Sequence, residues 1–158
     1  MVCVKAHESK IRQADFKKLI ANASAAYVIY QKIDGQIVPI AATNALAEMM
    51  LGAGSTADDY LKVAGTPVAF GQVDEVDRPR FIDKVNEFCQ NGGVLDVVYR
   101  RKLFGSDTCH VVHARGQIKH LDDGTEYAVI YFEDVNARKE NTCTSTATEL
   151  PDMSYLLT

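Results

Sequence analysis

The side chains best placed to do chemistry lie in two runs, residues 94–103 and 108–121, where apolar and polar residues alternate as in β-strands. Alternation puts Val97, Tyr99 and Arg101 on one face of the first run. It puts Val111, His113 and Arg115 on one face of the second. If Tyr99, Arg101, His113 and Arg115 share a buried face, they form a cationic pocket for a carboxylate, which guanidinium groups bind through paired N–H donors. The alternative leaves Arg101 and Arg115 on the solvent face or near strand ends, with His113 half-exposed. Long charged side chains are rarely buried unpaired, which favours the alternative. A second, apolar set consists of Met49, Phe70, Phe81 and Val85 with Tyr99, Val129 and Tyr131. These are candidate walls of an inner cavity, or simply core.

Other chemistries lack their residues. The sequence has no nucleophile elbow, phosphate loop, H-E-x-x-H run or paired-carboxylate pattern. Gly52-Ala53-Gly54 has neither the lysine nor the preceding strand of a phosphate loop. Cys3, Cys89, Cys109 and Cys143 are scattered without a C-x-x-C pair, so neither a zinc site nor a thioredoxin-type pair is expected. Free thiols in a reducing compartment are the simpler expectation, because a chain of this size does not need disulfides for stability. No metal site is predicted.

The elements that must position these residues follow from length and patterning. A chain of 158 residues, 47% hydrophobic and 24% charged, is long enough for one well-buried core. A net charge of −4 and a pI near 5.5 argue against nucleic acid as the main partner. No apolar run approaches the ~20 residues of a membrane span, and no basic-then-apolar leader opens the sequence. A soluble, cytoplasmic protein is expected.

Residues 9–23 read as an amphipathic helix whose stripe is Phe16, Leu19, Ile20 and Ala23, suited to packing on its own domain or to dimerisation. Two β-rich runs follow, 27–33 and 36–41, separated by Asp34-Gly35, a dipeptide that favours a type I′ hairpin turn. Pro39 lies inside the second run, which must then be a sheet edge, since proline cannot donate to a neighbouring strand. Asn44 is the expected N-cap of a short helix that Gly52 stops. Another short helix is expected near 57–62, then a loop broken by Gly65, Pro67 and Gly71. A longer helix runs to Gln90 with Asp77 as its cap. Its core stripe is Phe81, Val85 and Phe88, and Asn91-Gly92-Gly93 ends it. Runs 94–103, 108–121 and 126–134 close an antiparallel meander. The class is α+β, with five strands and the helices between the second and third. Residues 141–148 read as linker.

The order and spacing of several markers resemble the PAS family, sensory modules of bacterial signalling proteins. These markers are the hairpin at Asp34-Gly35, Asn44 eight residues before Gly52, and the run 73–78 leading into the long helix. Val98-Tyr99-Arg100 and the closing run 133–139, Glu-Asp-Val-Asn-Ala-Arg-Lys, complete the set. The resemblance covers about residues 25–139 and divides the chain into a flanking helix (1–24), a PAS domain (25–139) and a C-terminal tail (140–158). It implies a five-stranded antiparallel sheet in the order 2-1-5-4-3, which again places the second strand at an edge.

It also implies a sensory or dimerisation role rather than an enzymatic one. Asp134 and Arg138 would relay the state of the core to an effector outside this chain: a histidine kinase, a diguanylate cyclase or a transcription regulator. Haem-binding relatives take an axial histidine from the long helix, which here has none. Flavin-binding relatives need a cysteine-containing motif that residues 68–74 lack. No cofactor is therefore predicted, and the cavity is left open between an unknown small metabolite and no ligand. The alternatives are a ligand-free homodimerisation module and a small cone-fold isomerase. The closing 133–139 run argues against the isomerase.

Overall fold

The computed structural model describes residues 15–102 and 109–135. Five strands are present: β1 (Tyr27–Ile33), β2 (Gln36–Ala42), β3 (Val94–Lys102), β4 (Cys109–His120) and β5 (Glu126–Asp134). The chain is helical from residue 15 to 21 (α1). Four further helices lie between β2 and β3: α2 (Asn44–Leu51), α3 (Ala57–Val63), α4 (Pro67–Gly71) and α5 (Arg78–Asn91). The strands form one sheet in the order β2-β1-β5-β4-β3, every neighbour antiparallel. The expected α+β class and strand order are therefore the observed ones.

Local chemistry accounts for the boundaries. Asp34 and Gly35 both have positive φ (51° and 79°), as the type I′ turn between β1 and β2 requires. Pro39 sits on the edge strand β2, opposite Tyr30. The register slips beside it, so Ile40 has no partner in β1. An edge position next to a bulge is where a residue without an N–H does least damage. The cap of α2 is Thr43 rather than the expected Asn44. Extended backbone at Thr43 lets its Oγ1 accept from Leu46 N (3.1 Å) and Tyr27 N (3.2 Å), tying the helix start to β1. Asn44 Oδ1 instead accepts from Ala57 N at 2.8 Å and joins α2 to α3. Pro67, expected to break a loop, occupies the first turn of the additional helix α4, where its missing N–H costs nothing.

Core side chains come from the helical side of the sheet and the helices that cover it, including Val28, Leu46, Met50, Phe88, Val97, Val112 and Ile130. Gly116 on β4 lets the sheet close tightly on itself. A Cβ there would come within 2.9 Å of Ile130 Cγ1 and 3.3 Å of the Val129 carbonyl.

Asp77 was expected to cap α5 with its side chain, and it does not. Its carboxylate instead accepts from Arg100 on β3: the backbone N at 2.8 Å, Nε at 2.9 Å and Nη2 at 3.0 Å. Asp74 Oδ2 lies 3.4 Å from the same Nη2. Arg100 is 0% exposed and Asp77 3%. Beside this pair, Asp74 N donates to the Arg100 carbonyl (2.9 Å) and Lys102 N to the Gln72 carbonyl (2.8 Å), so residues 72–74 cover the outer edge of β3 at its C-terminal end, from Arg100 to Lys102.

Removing one partner of a buried ion pair leaves the other charge stranded. Asp77→Ala should therefore lower the unfolding free energy by about 3–5 kcal/mol in urea titrations, whereas Asp77→Leu combined with Arg100→Met should lose much less. A single-mutant loss below about 1 kcal/mol would mean that the pair is solvated rather than structural.

Candidate functional site

Between the sheet and helices α3–α5 lies a cavity of about 310 Å³. Its inner wall is apolar: Phe70 from α4, Phe81 and Val85 from α5, Leu95 from β3, and Ala114 and Ile130 from the central strands. Phe81 packs on Tyr99 with ring centroids 4.3 Å apart. Exposed residues Gly35, Gln36, Gly65 and Asn86 also line the cavity and mark its mouth, between the β1–β2 turn and α5.

One side of the cavity is polar. Arg101 of β3, 5% exposed, faces inward with Tyr30, Tyr60 and Tyr99 around it. The Arg101 charge acts on the phenols of Tyr60 and Tyr99, and the hydroxyls of Tyr30 and Tyr60 lie close enough to influence each other. Burial raises all three phenol pKa values. That of Tyr60 reaches about 12, because desolvation outweighs the lowering effect of the Arg101 charge. The hydroxyls therefore keep their protons at neutral pH and act as hydrogen-bond donors as well as acceptors. Among the described lining residues there is no aspartate or glutamate.

Strand register decides which expected site residues meet. Directly opposed residues of an antiparallel pair share a face. Tyr99 stands opposite Val112 and Arg101 opposite His110, whereas His113 stands opposite Val98 and Arg115 opposite Asp96. The four residues of the supposed cationic pocket are thus split: Tyr99 and Arg101 line the cavity, while His113 and Arg115 lie on the other face. His113 Nε2 is 2.6 Å from Asp96 Oδ1, and Arg115 is exposed, 3.9 Å from Glu133. Burial of Arg101 reverses the preference for a solvent-facing arginine at that position.

The apolar set divides likewise. Phe70, Phe81 and Val85 line the cavity. Met49 packs at the margin of the core without reaching it. Val129 and Tyr131 lie on the outer face, Tyr131 against Tyr27 (5.1 Å between rings), because Ala128, Ile130 and Phe132 take the inner positions of β5. Both sets of β5 residues are largely apolar, so alternation alone could not choose between them.

Tyr30, Tyr60 and Cys89 complete the wall and were not anticipated. Tyr60 belongs to a helix too short for its periodicity to reveal a facing direction. Cys89 is a free thiol whose pKa burial raises. Cys109 is disulfide-bonded, its partner outside the described residues, which departs from the expectation of free thiols throughout.

Of the expected relay residues, Arg138 lies outside the described residues. Asp134, the last residue of β5, has Oδ2 2.8 Å from His110 Nδ1. On α1, Ile20 is buried while Phe16 and Leu19 are 55% and 72% exposed. Ala23 follows the helix in a turn, its N–H donating to the Ile20 carbonyl. No described helix is long and apolar enough to cross a membrane.

No protein-family model matches the sequence, and no curated protein does. Solved structures do match in shape. A light-oxygen-voltage domain studied with a flavin analogue aligns over 90% of this chain and 95% of its own, at TM-score 0.59 and 15% identity. The PAS domain of a protein from Colwellia psychrerythraea aligns over 79% of this chain and 98% of its own (TM-score 0.54, 14% identity). An RNA-binding light-oxygen-voltage receptor aligns over 86% of this chain (TM-score 0.53, 13% identity), which spans only 36% of that receptor. At such identities the likeness is one of architecture. With the sheet order, the helices between β2 and β3 and the cavity they cover, it establishes that this chain has the fold of a PAS domain.

Proposed function

We propose that this chain is a sensory module that binds a small molecule between its sheet and α3–α5 and passes its state to the segment after β5. The observation that carries this reading is the cavity of about 310 Å³, apolar on one side and lined by a guanidinium and phenols on the other. Ligand sites commonly combine an apolar wall with a few placed polar groups, at volumes of roughly 300 Å³ and above. No histidine is among the described lining residues to ligate a haem. A small metabolite is the ligand proposed.

The proposed route from cavity to exit follows the strand register. Arg101, in the cavity wall, stands opposite His110, and His110 holds Asp134 at the end of β5. A ligand that displaces Arg101 acts on the strand pair that anchors this end. It biases the exit only by its differential affinity for the two arrangements. The effector is proposed to lie outside this chain and to be a histidine kinase, a diguanylate cyclase or a transcription regulator.

Thermal-shift screening against a metabolite library, with native mass spectrometry, tests the binding step. A compound that raises the Tm of the wild type should leave a cavity-filled Val85→Trp variant unmoved. A wild-type protein that carries no adduct and responds to no compound would refute ligand sensing. For the relay, Asp134→Ala should retain ligand binding while losing the ligand-dependent change in amide hydrogen exchange at the end of β5. An undiminished change would rule out Asp134 as the link.

A second reading, a ligand-free homodimerisation module, draws on other residues: Phe16 and Leu19 on α1, and Val94 and Tyr131 on the outer sheet face, all exposed apolar groups. Size-exclusion chromatography with light scattering, on the full chain and on one lacking residues 1–23, should then show a dimer that the truncation weakens. Monomers in both cases would exclude it.

A further inference from the structure

The chain has four cysteines: Cys3, Cys89, Cys109 and Cys143. Cys89 is a free thiol and Cys109 is disulfide-bonded, so the partner of Cys109 within this chain is Cys3 or Cys143. Strand geometry separates the two. Cys109 is the first residue of β4. β5 runs antiparallel to β4, and its last residue, Asp134, stands opposite Val112 with Oδ2 2.8 Å from His110 Nδ1. The chain thus leaves β5 heading for Cys109, which lies about 10 Å beyond Val112 along β4. The stretch from Asp134 to Cys143 reaches up to about 30 Å when extended, so it covers that gap with slack.

Cys3 starts from the wrong end. Phe16 and Lys17 of α1 share a groove with Lys119 and Leu121, at the other end of β4, about 33 Å from Cys109. The helical pattern that begins at residue 9 rises only about 10 Å back from Phe16, and the residues from there to Cys3 add at most about 20 Å. That length barely approaches the gap, and only by running straight along the sheet. Burial also points to an attachment at the β5 exit. Cys109, Val111 and His113 alternate on the face of β4 turned away from the cavity and are 2%, 6% and 9% exposed. Farther along that face Arg115 is exposed, and Tyr131 opposite it on β5 is 50% exposed.

We infer that Cys109 is bonded to Cys143 and that this disulfide is a reversible staple on the segment leaving β5. The inference goes beyond the sensory reading and holds whether or not the cavity binds a ligand. Formation takes the two thiols and a disulfide oxidant such as glutathione disulfide. Exchange forms the Cys109 Sγ–Cys143 Sγ bond and breaks the S–S bond of the oxidant, which takes up two electrons and both thiol protons and leaves as two thiols. Oxidised, the segment after Asp134 is closed into a loop tied to the start of β4. Reduced, the end of β5 keeps its pairing with β4 and the His110 contact but loses the covalent tie.

Peptide mapping of the 158-residue protein tests the pairing. The protein is equilibrated with glutathione disulfide, then unfolded and alkylated without reductant. The digest should contain Cys109 joined to Cys143, with Cys3 and Cys89 outside any internal bridge. A Cys3–Cys109 peptide pair, or a digest with no internal bridge, would overturn the assignment. Cys3→Ser should keep the bond and Cys143→Ser should lose it; the wild-type map decides the matter even where a variant does not fold. Amide hydrogen exchange reads the staple. Reducing the folded wild type with a phosphine should speed exchange at residues 132–135 at least about fivefold, because a local opening that the bond suppressed becomes accessible. Cys143→Ser should exchange at the faster rate from the start and ignore the phosphine. An intact bond that leaves exchange unchanged on reduction would overturn the staple, and a bond that the phosphine cannot break in the folded protein would overturn its reversibility. The metabolite screen decides the sensory reading separately from all of these.

Discussion

The Asp77–Arg100 pair carries an unusual share of this architecture, because it joins elements that no strand pairing connects. Three hydrogen bonds converge on one carboxylate, and they fix the first turn of α5 to the far strand of the sheet. Isolated buried ion pairs contribute little net stability, but they tolerate no alternative geometry. Here the geometry they enforce is the span between α5 and β3. That span sets the width of the cavity, since Phe81 and Val85 descend from α5 while Leu95, Tyr99 and Arg101 project from β3. The anchor also fixes the face each arginine takes: once Arg100 is committed to Asp77, Arg101 must point inward.

The same logic extends to the other wall. Thr43 binds the start of α2 to β1 and Asn44 binds α2 to α3, so the helix carrying Tyr60 is positioned by two side-chain bonds close in sequence. Gly116 allows β4 and β5 to approach without a side chain between them. A space therefore remains where helices and sheet are held apart by anchors at both ends. It is absent where β4 and β5 close directly on each other.

Much of this was readable from the residues themselves, and the parts that were not share a cause. Asp34-Gly35, Pro39 and the limits of β5 are local signals: backbone conformation at two residues, one missing donor, one uninterrupted β-rich run. They predicted a hairpin turn, an edge strand and a final strand, all observed. Thr43 and Asn44 are both good caps, and only the tertiary contacts of each side chain separate their roles. Pro67 is compatible with a loop or with a helix start, and packing chose the latter. The division of Arg101 from Arg115, and of Ile130 from Tyr131, depends on inter-strand register, a relation between distant segments that no single run encodes. Tyr30 and Tyr60 entered the site for the same reason: they meet across elements thirty residues apart in sequence.

Both margins of the sheet are interrupted, by different means. On β2, Pro39 and the adjoining bulge break the row of donors; on β3, residues 72–74 occupy its end from Arg100 to Lys102. Open strand edges are templates for further pairing, and proteins that leave them bare risk growing into fibrils. Neither edge of this sheet therefore offers its whole length to an incoming strand. Strand-by-strand pairing between copies is disfavoured against contacts through side-chain surfaces, which have finite area. Contacts of that kind saturate instead of propagating.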